Sequence, residues 1–270
     1  MCFNEKSARK VYMFRVESSA ITFIGLVRKS NEDNYYVNGK HKSNFGVEVE
    51  GYSEDTERGA YLYAVCDGMG GENFGELASM IAVMVLKKYQ DTDLRKTLKT
   101  YIDTANNLIC KEMKKNNGAR IGTTLALLYL YENKVFSCNI GDSRTYLLRD
   151  DDLYLLSEDH TEAQRLVNIG AIRQEDAGAH KFRNKLTQHL GIFPEEMLIV
   201  PYISEEIELY QGDILMICSD GLTDMVNDDD IADCLAMPYI STTEMVKMLA
   251  SKTQASGGRD NATIIAIKVI

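Results

Sequence analysis

The stretch AYLYAVCDGMGG, residues 60–71, decides the fold. Tyr61 to Cys66 is apolar at successive positions instead of alternate ones, which predicts a central strand covered on both faces. The run stops at Asp67, and Gly68, Gly70 and Gly71 then let the backbone turn tightly. Two other aspartates hold similar places. Asp220 closes the apolar run DILMICSDG (residues 213–221), and Asp260 opens the run in GGRDNATIIAIKVI (residues 257–270). In an antiparallel sheet, the end of one strand and the start of its neighbour share an edge, so the three carboxylates are expected along one rim. A rim of oxygen ligands suits a hard divalent cation.

Working outward, Ala20 to Val27 and Asn34 to Val37 read as strands, and apolar residues from Glu76 to Tyr89 recur at helical spacing. Leu94, Leu98, Ile102, Ala105, Ile109 and Met113 mark one face of a second helix over 94–114. Hairpins follow at Thr123 to Ile140 and at Arg144 to Leu156, then a short helix from Thr161. Strands are expected at Met197 to Ile203, Ile214 to Cys218 and Thr263 to Val269, with helices at Ile231 to Leu235 and Thr243 to Lys252. The class is α+β, with enough strands for two stacked sheets and helices outside them.

The chain has 270 residues, three prolines and no Gly/Ser linker, which predicts one domain over 20–270 behind a loosely held N-terminal segment, 1–19. A formal net charge of −10 argues against tracking a nucleic-acid backbone. No apolar run reaches the ~18 residues of a membrane span, and no signal-peptide pattern is visible, so a cytoplasmic protein is expected. Six cysteines without CxxC spacing fit a reducing compartment.

More acids lie near these turns. GLVRKSNEDN (residues 25–34) holds Arg28, Glu32 and Asp33; Asp142 follows Gly141; Asp224 lies one helical turn beyond Asp220. An Asp-Gly pair after a strand is most often only a turn, but here strand-end acids, Arg28 and glycine turns recur together. No His or Cys pair has metal spacing, which favours Mg²⁺ or Mn²⁺ over Zn²⁺. The charges of Glu32, Asp67, Asp220 and Asp260 would be balanced by two dications, leaving Arg28 to grip an incoming phosphate. Gly68 is placed to offer a carbonyl. His160, in SEDHT, reads as structural, and no histidine or phosphate-cradling loop supports Cys66 or Cys218 as a nucleophile.

In order, GLVRKSNEDN, VCDGMGG, GTTL, NIGDSR, SEDHT, NKLTQHLG, CSDGLTD and GRDNAT resemble the metal-dependent protein phosphatases of the PPM family, the protein phosphatase 2C type. The resemblance spans Ile21 to Ile270. It implies a central antiparallel β-sandwich flanked by helices on both outer faces, with a two-metal centre at one end. It also implies roles: Asp67 bridges both metals, Gly68 and Glu32 serve the second metal with Asp33 close by, and Asp220 and Asp260 complete the first. Arg28 matches the phosphate-binding arginine, Asp142 and Asp224 match a third, weaker metal site, and 161–184 matches a flap beside the active site.

Two departures stand out. Met69 occupies the place of a histidine found in some eukaryotic members, and LTQHLG carries Gln188 and His189 where LTRALG is common. The implied activity is Mg²⁺/Mn²⁺-dependent hydrolysis of phosphoserine and phosphothreonine by a metal-bridging hydroxide. A monomeric, stand-alone bacterial-type domain with phosphorylated protein substrates and a cognate serine/threonine kinase is expected. A non-catalytic regulator of the same fold would lack metal ligands, and here every ligand position is filled. Small phosphoesters remain open as substrates.

Overall fold

A computed structural model describes residues 14–70, 74–116 and 119–270. The early strands are β1 (Phe14–Phe23), β2 (Asn34–Val37), β3 (Lys40–His41), β4 (Val49–Arg58), β5 (Ala60–Cys66) and β6 (Gly68–Gly70). After the helices α1 (Phe74–Leu86) and α2 (Leu94–Lys115) come β7 (Ile121–Thr123), β8 (Leu125–Tyr131), β9 (Lys134–Ile140), β10 (Arg144–Arg149) and β11 (Asp152–Leu155). Helices α3 (Glu162–Asn168) and α4 (Gln174–Ala177) precede β12 (Tyr202–Ile203), β13 (Ile207–Glu208) and β14 (Ile214–Cys218). Helices α5 (Asp220–Thr223), α6 (Asp228–Leu235) and α7 (Thr242–Ala255) lead to β15 (Ala262–Val269).

Two sheets stack. One runs β11-β10-β14-β15-β1-β4 and the other β12-β9-β8-β5-β2-β3, with β13 also on β9 and β6 paired to β7 alongside. Alternation along β5 explains why its whole run is apolar. Tyr61, Tyr63 and Val65 enter the core between the sheets with Leu215, Ile217 and Ile265. Leu62, Ala64 and Cys66 face the other way, against Leu86, Leu98 and Ile102 of α1 and α2. The outer face of the first sheet packs Met216, Ile264 and Ala266 against Leu222, Met245 and Leu249. The result is the expected helix–sheet–sheet–helix sandwich. Among the described residues no helix is long and apolar enough to cross a membrane.

Three expectations need correction. The N-terminal segment read as loose over 1–19 already contains strand: Phe14 to Ser19 belong to β1, which pairs with both β15 and β4. Residues 1–13 lie outside the described residues, as does Gly71. The strand read over Met197 to Ile203 shrinks to Tyr202–Ile203, because only those residues find a partner, on β9. The ten-residue β4 went unread because its sequence, VEGYSEDTER, is polar. It is an edge strand whose inward acids are bonded: Tyr35 Oη donates to Glu50 at 2.7 Å and Asn38 Nδ2 to Glu54 at 2.5 Å. Charge on an edge also discourages pairing with other chains.

Candidate metal centre

Pairing of β14 with β15, Cys218 opposite Ile264, brings Asp220 and Asp260 to one end of the first sheet. Asp67 leaves β5 at the matching end of the second sheet, where Thr124 fixes it: the Asp67 amide donates to Thr124 Oγ1 and the Thr124 amide to the Asp67 carbonyl, both at 2.9 Å. One cleft is lined by Arg28, Glu32, Asp67, Gly68, Asp142, Asp220 and Asp260. Asp224 lines the adjoining pocket, which shares Asp142 and Asp220. Asp33 stands behind the cleft wall, fully buried, with Ser219 Oγ and Thr263 Oγ1 each donating to its Oδ2 at 2.8 Å.

The loop bearing Arg28 and Glu32 is held by side chains that the sequence reading did not single out. Asn261 Oδ1 accepts the Glu32 amide at 2.9 Å, and its Nδ2 donates to the carbonyls of Ile24 and Ser30 at 3.0 and 2.8 Å. Ser79 Oγ donates to the Glu32 carbonyl at 2.6 Å. Gly68 and Gly75 make a close approach possible. A Cβ on Gly68 would lie 2.2 Å from the Gly75 carbonyl oxygen, and one on Gly75 would lie 2.7 Å from Glu32 Oε2. Sequence signals existed for Asn261, beside Asp260, but none marked Ser79 or Gly75.

Several carboxyls of the cleft are held toward their protonated form. Burial pushes Asp67 and Asp142 well above the usual carboxylate range; the charges of Asp33, Asp220 and Asp142 add to the effect on Asp67, and those of Asp220 and Asp159 to that on Asp142. Burial and then Asp260 raise Asp220 to about 7, and burial raises Asp33 to about 6 against its hydroxyl donors. Asp67 and Asp220 line the same cleft, and the Asp220 charge adds to the rise at Asp67. Asp220 Oδ1 and Asp33 Oδ1 are buried without any hydrogen-bond partner. Buried anionic oxygens left unpaired fit a group that brings positive charge.

Among the described residues, no three acidic, His or Cys side chains surround one point in ready-made ligand geometry. The reason lies in their present partners. Arg28 Nη2 is paired with Asp260 Oδ2 at 2.5 Å, and Asp67 is turned to Asp220. Asp224 Oδ2 accepts from Asn184 Nδ2 at 2.8 Å and Arg183 Nη2 at 3.4 Å, so the end of the 161–184 segment is tied to it. Ligation therefore requires side-chain rotation, together with backbone carbonyl and water oxygens to fill the coordination shell. The chemistry of the donor set still fits, since the acids that line the cleft are hard oxygen donors.

His160 is structural, as expected. Its Nδ1 accepts the Gly141 amide at 3.2 Å and its own amide donates to the Gly141 carbonyl at 2.9 Å, which fixes the turn before Asp142. The described cysteines are all buried, and burial raises the thiols of Cys66 and Cys218 beside the acidic positions.

A family model described as protein phosphatase 2C matches residues 24–262. The chain belongs to the protein phosphatase 2C family. Among its protein phosphatase 2C relatives is the protein phosphatase PhpP of Streptococcus pneumoniae, 30% identical over 265 residues, covering 94% of this chain and 98% of PhpP. The serine/threonine protein phosphatase PstP of Mycobacterium tuberculosis is 32% identical over 251 residues, 91% of this chain. The chain spans only 43% of the length of PstP. A crystal structure of the PstP catalytic domain in complex with two manganese ions superposes with a TM-score of 0.75 at 30% identity, covering 95% of this chain and 99% of that one.

Proposed function

We propose that this chain is a metal-dependent phosphatase of phosphoserine and phosphothreonine in proteins, with Glu32, Asp67, Gly68, Asp220 and Asp260 holding two Mg²⁺ or Mn²⁺ ions. The observation that carries this is the convergence of Asp67, Asp220, Asp260 and Glu32 on one cleft beside Arg28. Two bound dications would neutralise these acids and supply an activated water for in-line attack on phosphorus. Asp33, behind the wall, is assigned to orient that shell through Ser219 and Thr263 and not to touch an ion directly. Asp142 and Asp224 are assigned to a weaker third site.

Arg28 presents a planar fork to the phosphate oxygens, and its exposure leaves it free to swing from Asp260. Met69 lines the cleft without an ionisable group, so no side chain is assigned to protonate the leaving group. The net charge of −10 supports protein substrates over nucleic acid. A cytoplasmic, monomeric enzyme with one catalytic domain, opposing a serine/threonine kinase, completes the proposal.

The test is phosphate release from phosphoserine, phosphothreonine and phosphotyrosine peptides with Mn²⁺ and with chelator. Hydrolysis of the first two, abolished by chelator, is expected; equal turnover of phosphotyrosine would refute the substrate assignment. In the same assay Arg28→Ala raises KM roughly 10- to 100-fold with a smaller change in kcat, the scale of one charge-assisted hydrogen bond at about 1.5–3 kcal/mol. An unchanged KM would remove its role.

A further inference from the structure

Lys42 lies between β3 and β4 and is the only lysine or arginine among the described residues that is buried, with a side-chain exposure of 0%. A lysine is seldom buried so completely unless it is paired. Its Nζ is 3.0 Å from Glu76 Oε1, in the first turn of α1, and Glu76 is also buried. The ammonium has a second partner: it donates to the carbonyl of Asn31 at 2.5 Å. Asn31 directly precedes Glu32 and Asp33.

The surroundings give this bond direction. Lys42 is fixed at its own backbone, its amide donating to Asn34 Oδ1 at 3.0 Å and its carbonyl accepting from Asn34 Nδ2 at 3.1 Å. Glu76 accepts the Gly46 amide at 3.1 Å, which ties the following loop to α1. The same helix supplies Ser79, whose hydroxyl holds the Glu32 carbonyl. Asp33 and Glu76 are buried behind Glu32, which itself lines the cleft, and Lys42 is the cation set among them.

We propose that Lys42 and Glu76 are a positioning pair that holds the Asn31–Glu32 peptide in place and so sets the affinity of the Glu32 half of the metal centre. The pair does not touch substrate. It fixes a ligand's backbone through the Lys42 bond to the Asn31 carbonyl. The proposal rests on the metal assignment above. Neither partner suffices alone: Glu76 anchors the ammonium, and the ammonium carries the hold to Asn31.

The experiment is calorimetric titration of Mn²⁺ into the full chain, comparing wild type, Glu76→Gln and Lys42→Met/Glu76→Gln, with thermal unfolding of each. The double variant avoids leaving one buried charge without its partner. It is expected to fold with a melting temperature near that of wild type, yet to bind Mn²⁺ 10- to 100-fold more weakly, the usual loss when a ligand's support is removed. Its kcat is expected to recover at saturating Mn²⁺, and Glu76→Gln, which frees the ammonium from its anchor, is expected to lose at least as much affinity. Mn²⁺ affinity within twofold of wild type in a folded double variant would overturn the proposal and leave the metal assignment standing. Unfolding of both variants would overturn it too, by assigning the pair to the fold itself. A wild-type chain that takes up no Mn²⁺ would sink the metal assignment first, and this proposal with it.

Discussion

Asp67→Asn and Asp220→Asn each lower Mn²⁺-dependent phosphate release from a phosphothreonine peptide by on the order of 10³-fold or more, since a single electrostatic donor is already worth 10²–10³. Both residues face the cleft, and each loses an anionic oxygen on substitution. The fold should survive. Burial and the charges of neighbouring acids already drive both carboxyls toward the protonated form. Asparagine resembles a protonated aspartate, and at position 67 its amide can donate to Asp220. The metal-free variants should therefore melt at or above the wild-type temperature near pH 8, where the wild type bears the most unpaired charge. Kinetics and thermal unfolding on the same samples check this. Full activity in either variant would refute the assignment; loss of activity through unfolding would show a structural role instead.

Mn²⁺ raises the melting temperature most at alkaline pH, and the rise fades as pH drops through 7 toward 5. In the native chain Asp220 is raised to about 7 and Asp33 to about 6, against about 3.9 for an unfolded aspartate. Between those values the native state holds protons that the unfolded chain has released. The contribution of these acids to metal-free stability is thus lost as pH climbs from about 4 through their raised values. Mn²⁺ must displace the same protons, so its binding strengthens over that window. At 100 times its dissociation constant, a ligand stabilises by about 2.7 kcal/mol, or roughly 5–11 °C for a chain of this size. Thermal unfolding at pH 5.5 and 8, with Mn²⁺ or chelator, measures it. A rise of equal size at both values would place the ion elsewhere.

Much of the site was legible because apolar runs end where strands end. Asp67, Asp220 and Asp260 could be placed on one rim from the pairing rule alone, and the order of their motifs supplied the family. What could not be read were the supports. Asn261 bonds Ile24, Ser30 and Glu32 across more than 200 residues of sequence, and Lys42 reaches Asn31 only because β3 turns it inward. Side chains chosen for one distant backbone atom carry no periodicity. The edge strand β4 was hidden for a related reason: its acids are satisfied by Tyr35 and Asn38 on the facing sheet, so it needs no apolar stripe.

The thiols that flank the acidic rim lead to a separate expectation for handling the protein. Cys66 is buried between its sheet and α1 and α2, Cys218 between the other sheet and the helices α5–α7, and burial keeps both thiols in their unreactive protonated form. Thiolate is the species that alkylating agents attack. Iodoacetamide should therefore spare Cys66 and Cys218 in the folded protein. Labelling at these two positions would instead time the moments when the strands beside the metal centre come apart.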